Sequence, residues 1–157
     1  MKWQIKSAQN NLSDLSEMGN SFYVLNDIVA FDFIPENKPL EYFLNGIKVI
    51  KFLSFIEALS NKTEFYSPPG SLRFYKDLDW EDLEGLEKIG SVGTNDIVVY
   101  HEFVGDTILS RDIVYDIVIA LSKQIYNCLK INDSIFKDID INEFLIEIQS
   151  FEKSVEN

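Results

Sequence analysis

The chain predicts an α+β fold, a largely antiparallel sheet with about four helices. Three observations predict it: short β-branched and aromatic runs fill the first half, capped amphipathic helices close the second, and no βαβ alternation links them. One domain over residues 1–157 is expected, since about 100–200 residues per domain is usual. A chain this size buries roughly 68–70% of its unfolded surface and needs neither metal nor disulfide to fold. With 46% hydrophobic and 13% aromatic residues it has the apolar area to offset chain entropy, despite a net charge of −12.

The elements follow in order. Residues 1–20 and 153–157 are expected to be loose ends. Runs at 22–25 and 28–34 flank Asn26-Asp27, which suits a tight hairpin turn, with Val29, Phe31 and Phe33 on one face. Residues 41–44 and 47–52 flank Asn45-Gly46, the favoured pair where both turn residues need positive φ, so a second hairpin is predicted. Ser54 and Glu57 read as a capping box for a helix over 55–60, ended by Asn61. Ser67-Pro68-Pro69-Gly70 reads as a loop and 72–76 as a strand.

Asp79 reads as the N-cap of a short helix over 80–88, with Asp82 at the third helical position and Trp80, Leu83 and Leu86 at spacing three. Residues 97–104 form a strand that Gly105-Asp106 ends. Ser110 caps a helix over 111–129, expected to be the central core helix. Its Asp112, Asp116, Lys123, Asn127 and Lys130 fall in a stripe only about 60° wide. Asp140 with Glu143 caps the last helix, Ile139 and Phe144 are spaced as a hydrophobic staple, and Phe144, Leu145, Ile148, Phe151 and Val155 mark its buried face.

Charge is unevenly placed. Residues 1–76 carry eight basic and eight acidic side chains, and residues 77–157 carry six against eighteen. The imbalance is steepest where it begins: Asp77, Asp79, Glu81, Asp82, Glu84 and Glu87 put six carboxylates into eleven residues, around Trp80. Such a field attracts a basic protein and repels nucleic acid, whose binding depends on Lys and Arg displacing counterions. One carboxylate suffices as a cap, so the rest of the run lacks a local structural reason. Aromatic anchors within an acidic rim suit an interface, and Trp80, Tyr75 and Phe74 are the candidates. Asp133, Asp138 and Asp140 form a second acidic segment. The bland alternative for residues 77–87 is a solvated helix face.

Catalytic and cofactor motifs are not found, and no cofactor or metal is expected. His101 is the only histidine and shares a strand face with Ile97, Val99 and Phe103, which suits a buried, hydrogen-bonded ring better than a catalyst. With one His and one Cys, a four-ligand Cys/His zinc set is impossible within a monomer. Gly90-Ser91-Val92-Gly93-Thr94 lacks the Lys-Ser/Thr of a phosphate loop and precedes a strand, so a plain turn is expected. Cys128 sits on an apolar helix face, and a single thiol fits a reducing cytoplasm. The N-terminus has no apolar run of signal-peptide length and no stretch is long enough to span a membrane, so neither secretion nor membrane binding is expected.

In size, its pI near 4.4 and the Asp77-Leu78-Asp79-Trp80-Glu81-Asp82 segment, the chain resembles the immunity proteins of contact-dependent growth inhibition and other bacterial polymorphic-toxin systems. The resemblance is one of character over the whole chain. It implies a cytoplasmic inhibitor of a cognate toxin domain, commonly a basic nuclease, with Trp80 as anchor and Asp77, Asp79, Glu81, Asp82, Glu84 and Glu87 as the charge-complementary set. Two other readings stay open: an acidic adaptor or regulatory module for another basic protein, and a carboxylate-dependent enzyme with Mg²⁺ held by Asp77 and Asp79.

Overall fold

The structure, a computed structural model, describes residues 1–8, 12 and 23–156. Strand β1 (Lys2–Ser7) pairs antiparallel with β2 (Val29–Ile34), Trp3 opposite Phe33 and Ile5 opposite Phe31. The expected loose end is therefore a strand at residues 2–7, because Trp3 and Ile5 alternate with polar neighbours and pack on the core. The rest of that stretch, residues 9–11 and 13–20, lies outside the described residues. At the other end, residues 153–156 complete the last helix, and Val155 packs on the core.

The hairpin expected at Asn26-Asp27 does not form. A single helical turn, α1 (Leu25–Ile28), replaces it, with Asp27 Oδ2 accepting from the Val24 backbone N–H at 2.8 Å and Leu25 and Ile28 buried. Phe22 lies outside the described residues. On β2, Val29 and Phe33 are buried and Phe31 is half-buried on the same face, as the alternation requires.

The Asn45-Gly46 hairpin is also replaced, by α2 (Lys38–Asn45). Asn37 caps it, accepting from Leu40 N at 3.1 Å, and Pro39 falls in the first turn, where its missing N–H costs nothing. Leu40, Phe43 and Leu44 are buried at helical spacing, and Gly46 is right-handed (φ −85°), so the turn-forming potential of Asn-Gly goes unused. A 3₁₀ turn at Val49–Lys51 leads into α3 (Phe52–Asn61). That helix starts before Ser54, so the box with Glu57 does not form. Buried Val49 and Phe52 fix the earlier start, and Lys62 ends the helix in the left-handed region (φ 53°).

A four-stranded antiparallel sheet follows, in the order β3 (Phe65–Ser67), β4 (Gly70–Phe74), β5 (Asp96–His101) and β6 (Gly105–Ser110). Pro68 and Pro69 occupy the β3–β4 turn, where their missing donors cost no ladder bond. At Gly70 a Cβ would stand 2.9 Å from the Tyr100 carbonyl oxygen and 3.1 Å from the Phe43 ring, so only glycine fits between strand and helix. Gly105 does not end β5; it opens β6 at φ +89° after a turn over 102–104. Between β4 and β5 the chain makes an excursion that includes α4 (Trp80–Leu86).

Helix α5 (Arg111–Ile131) packs on β1, on β6 and on α6 (Ile141–Glu156), which also meets α3. Ser110 caps α5 as expected, its Oγ accepting from Ile113 N at 3.3 Å. The stripe Asp112, Asp116, Lys123, Asn127 and Lys130 is exposed, and Val114, Ile117, Val118, Leu121, Ile125 and Leu129 are buried. Asp140 caps α6, accepting from Asn142 N and Glu143 N. The core between these helices is aromatic: Phe52 stacks on Phe144 at 6.0 Å, Tyr115 meets Phe151 edge-on at 5.6 Å, and the Tyr115 hydroxyl donates to the Leu59 carbonyl. Each such side chain contributes about 1.5–3 kcal/mol by leaving water. Among the described residues, no helix is long and apolar enough to cross a membrane.

Candidate protein-interaction surface

Strand alternation in β3–β6 separates two faces. Leu72, Phe74, Ile97, Val99 and Leu109 point into the main core. Arg73, Val98 and Ile108 lie in register on the outer face, as do Tyr66, Ser71, Tyr100 and Asp106 one pair further along. Val98 is fully buried yet does not belong to the main core, and neither does the buried Leu86 of α4. The β4–β5 excursion therefore folds back over the outer face and forms a second, small apolar contact layer there.

Its local order comes from carboxylates. Asp77 Oδ2 accepts from Phe74 N at 2.9 Å and closes the 3₁₀ turn Tyr75–Asp77. Asp79 and Asp82 form the capping box of α4, with Asp82 N donating to Asp79 Oδ1 at 2.8 Å and Asp79 N donating to Asp82 Oδ2 at 3.0 Å. Asp82 Oδ2 also stands 3.3 Å from Arg73 Nη1. Hydrogen bonding from the Asp79 backbone holds the Asp82 carboxyl below its usual range; partial burial opposes this and Arg73 reinforces it. Three of the six carboxylates thus have structural work, where one was expected to suffice.

The remaining residues divide by side of the helix. At about 100° per residue, Glu87, Trp80 and Glu84 fall within about 60° on the outward side. Trp80 is 70% exposed, and Glu81, Glu84 and Glu87 are exposed too. Among the described residues, no cation pairs with these three glutamates. Phe74, expected beside Trp80 as an anchor, is instead buried in the main core, with the Arg111 guanidinium 5.7 Å over its ring, and Tyr75 is half-buried.

On the other side of α4, Glu81, Asp82, Gly85 and Leu86 border an open groove of about 540 Å³, floored by Tyr66, Ser71, Arg73, Tyr100 and Asp106 with Glu64 at its rim. Asp106 is half-buried, and burial raises its carboxyl above the ordinary value; Arg73 counters this and Asp82 adds to it. The groove's floor was not found from sequence. Tyr66, Tyr100 and Asp106 lie far from residues 77–87 in the chain, and only the strand register brings them together.

The other candidates lie away from this groove. His101 is buried, its Nδ1 accepts from Phe103 N at 3.3 Å, and its ring lies between Tyr42 and Phe103, each at 5.4 Å. Residues 90–93 are irregular rather than the expected turn, which falls at 94–95, and Gly93 N donates to Asp96 Oδ2 at 2.7 Å. Asp133 and Asp138 are exposed on the α5–α6 connection. Among the described residues, no three His, Cys, Asp or Glu side chains converge as a metal-binding set. No family model matches the chain, and no curated protein or solved structure matches it.

Proposed function

We propose that the protein binds a basic protein partner through α4 and, in keeping with its resemblance in size and character to immunity proteins, neutralises a cognate toxin domain, a basic nuclease, in the cytoplasm. One observation carries the reading: Trp80, 70% exposed, stands between the unpaired Glu84 and Glu87 on a helix fixed by its own capping box and by Arg73. An exposed tryptophan on a rigid element offers a large contact area at low entropic cost, and the glutamates present negative potential where a nuclease expects phosphate. Asp77, Asp79 and Asp82 contribute to that field while holding the helix. A carboxylate surface of this kind acts first on association rate, by about 10–10³-fold at low salt.

The test is co-expression with the product of the adjacent gene. Rescue from toxicity together with a co-purifying complex supports the reading. A complex without neutralisation turns it into an adaptor function, and neither rescue nor complex overturns it for that partner. Within a neutralising complex, Trp80→Ala is expected to weaken binding by about thirtyfold, the loss typical of a central anchor. The double variant Glu84→Lys, Glu87→Lys is expected to slow association most at low salt.

A further inference from the structure

The groove beside α4 has a chemistry of its own. Across its floor Tyr66, Ser71, Tyr100 and Asp106 stand side by side, one from each strand of the sheet. Tyr66 is 70% and Tyr100 38% exposed. Around them are three more carboxylates, Glu64, Glu81 and Asp82, and a single cation, Arg73, whose guanidinium lies against Asp82. Among the described residues, Asp106 makes neither a side-chain hydrogen bond nor an ion pair although it is half-buried. A half-buried carboxylate with no hydrogen bond or ion pair, held only by the longer-range attraction of Arg73, is further stabilised by an incoming cation.

A second observation is independent of charge. Gly85 sits inside α4, where glycine is the least favourable residue apart from proline, and it borders the groove. No atom lies within 4 Å of where its Cβ would be, and its φ is not one that requires glycine. Neither packing nor backbone conformation accounts for it. Its effect is to leave the groove wall bare, with room for an entering side chain.

We propose that this groove receives an arginine side chain of the basic partner, the guanidinium meeting Asp106 and lying against the faces of Tyr66 and Tyr100. Arginine suits the site better than lysine because a planar, weakly hydrated cation stacks on aromatic rings and bonds carboxylates through several donors at once. The proposal deepens the reading of α4 as a recognition element, and rests on it. Trp80, Glu84 and Glu87 form the outward contact, and the groove selects one residue of the partner.

The full-length protein is titrated with a blocked Gly-Arg-Gly peptide, followed by backbone amide chemical shifts, with the Gly-Lys-Gly and Gly-Glu-Gly peptides alongside. The expected result is shift changes at Ser71, Gly85, Tyr100 and Asp106, weaker changes with lysine and none with glutamate. Asp106→Asn is expected to weaken the arginine peptide about fivefold, the upper end for a pair near the surface. Gly85→Leu is expected to raise the thermal midpoint and yet abolish the changes in the groove, two effects that a purely structural role for Gly85 cannot combine. Shifts confined to Glu84 and Glu87, or unaltered binding by a folded Gly85→Leu variant, overturn the groove and leave the α4 reading standing. Equal response to lysine and arginine overturns the choice of arginine. Absence of any shift at tens of millimolar overturns the groove, and the α4 reading is then judged separately by the toxin-neutralisation experiment.

Discussion

Arg73 of β4 and Asp82 of α4 meet at 3.3 Å, and this pair joins the acidic helix to the outer face of the sheet. Both side chains are only partly exposed, at 24% and 31%. The same Asp82 oxygen accepts the Asp79 backbone N–H, so a single carboxylate oxygen serves both the start of the helix and its attachment.

Removing that carboxylate should loosen α4 without unfolding the protein. Asp82→Ala removes half of the capping box and the ion pair, a loss of about 1 kcal/mol. Because Leu86, the buried residue of α4, lies outside the main core, hydrogen exchange at the amides of residues 83–87 is expected to quicken about fivefold while the global thermal midpoint stays nearly constant. An equal loss of protection in α5 would contradict this.

Asp106 should carry a stability cost that depends on pH. Its carboxyl is raised by burial, so the folded state holds its proton more tightly than the unfolded chain does. Stability from this group is highest below the ordinary value of 3.8 and falls as pH rises from there through the raised folded value. Asp106→Asn is therefore expected to be more stable than the parent protein at pH near neutrality, with the difference vanishing well below 3.8; urea unfolding at the two pH extremes reads it. Arg73, Asp82, Glu64 and Glu81 also face this space, so the comparison is between variants at one pH rather than between pH values for one variant.

Trp80 should matter to a partner and not to the fold. At 70% exposure it buries little, and Trp80→Ala is expected to change the free energy of unfolding by no more than about 0.5 kcal/mol. A loss of several kcal/mol in chemical denaturation would mean that the ring packs on the protein itself.

Phe52 is the opposite case. It is fully buried, stacks on Phe144 and tilts against Phe55, linking α3 to α6. Phe52→Ala is expected to cost about 3–5 kcal/mol through lost transfer free energy and a cavity. Calorimetry or urea unfolding reads the loss directly.

What could be read from the sequence follows the range of the forces involved. Asp79, Ser110 and Asp140 each announced a helix start correctly, because a cap bonds backbone groups within three residues. Asn45-Gly46 misled because its local turn preference competes with burial of Leu40, Phe43 and Leu44 on one helical face, and burial is the larger effect. Trp3 and Ile5 went unread because their strand partner, β2, lies beyond more than twenty intervening residues. The candidate site divides the same way. Its helix is a local pattern, whereas Tyr66, Tyr100 and Asp106 reach the groove through strand register, which no spacing near residue 80 encodes.

The two apolar layers on opposite faces of the sheet have a consequence for which side chains the fold can spare. Glu81, Glu84, Glu87 and Trp80 project from a thin outer veneer, while Phe52, Leu121 and Phe144 hold the body of the molecule beneath the other face. Substitutions on the veneer leave the interior jigsaw untouched. Each of these outward side chains can thus be exchanged at little cost to the stability of the fold.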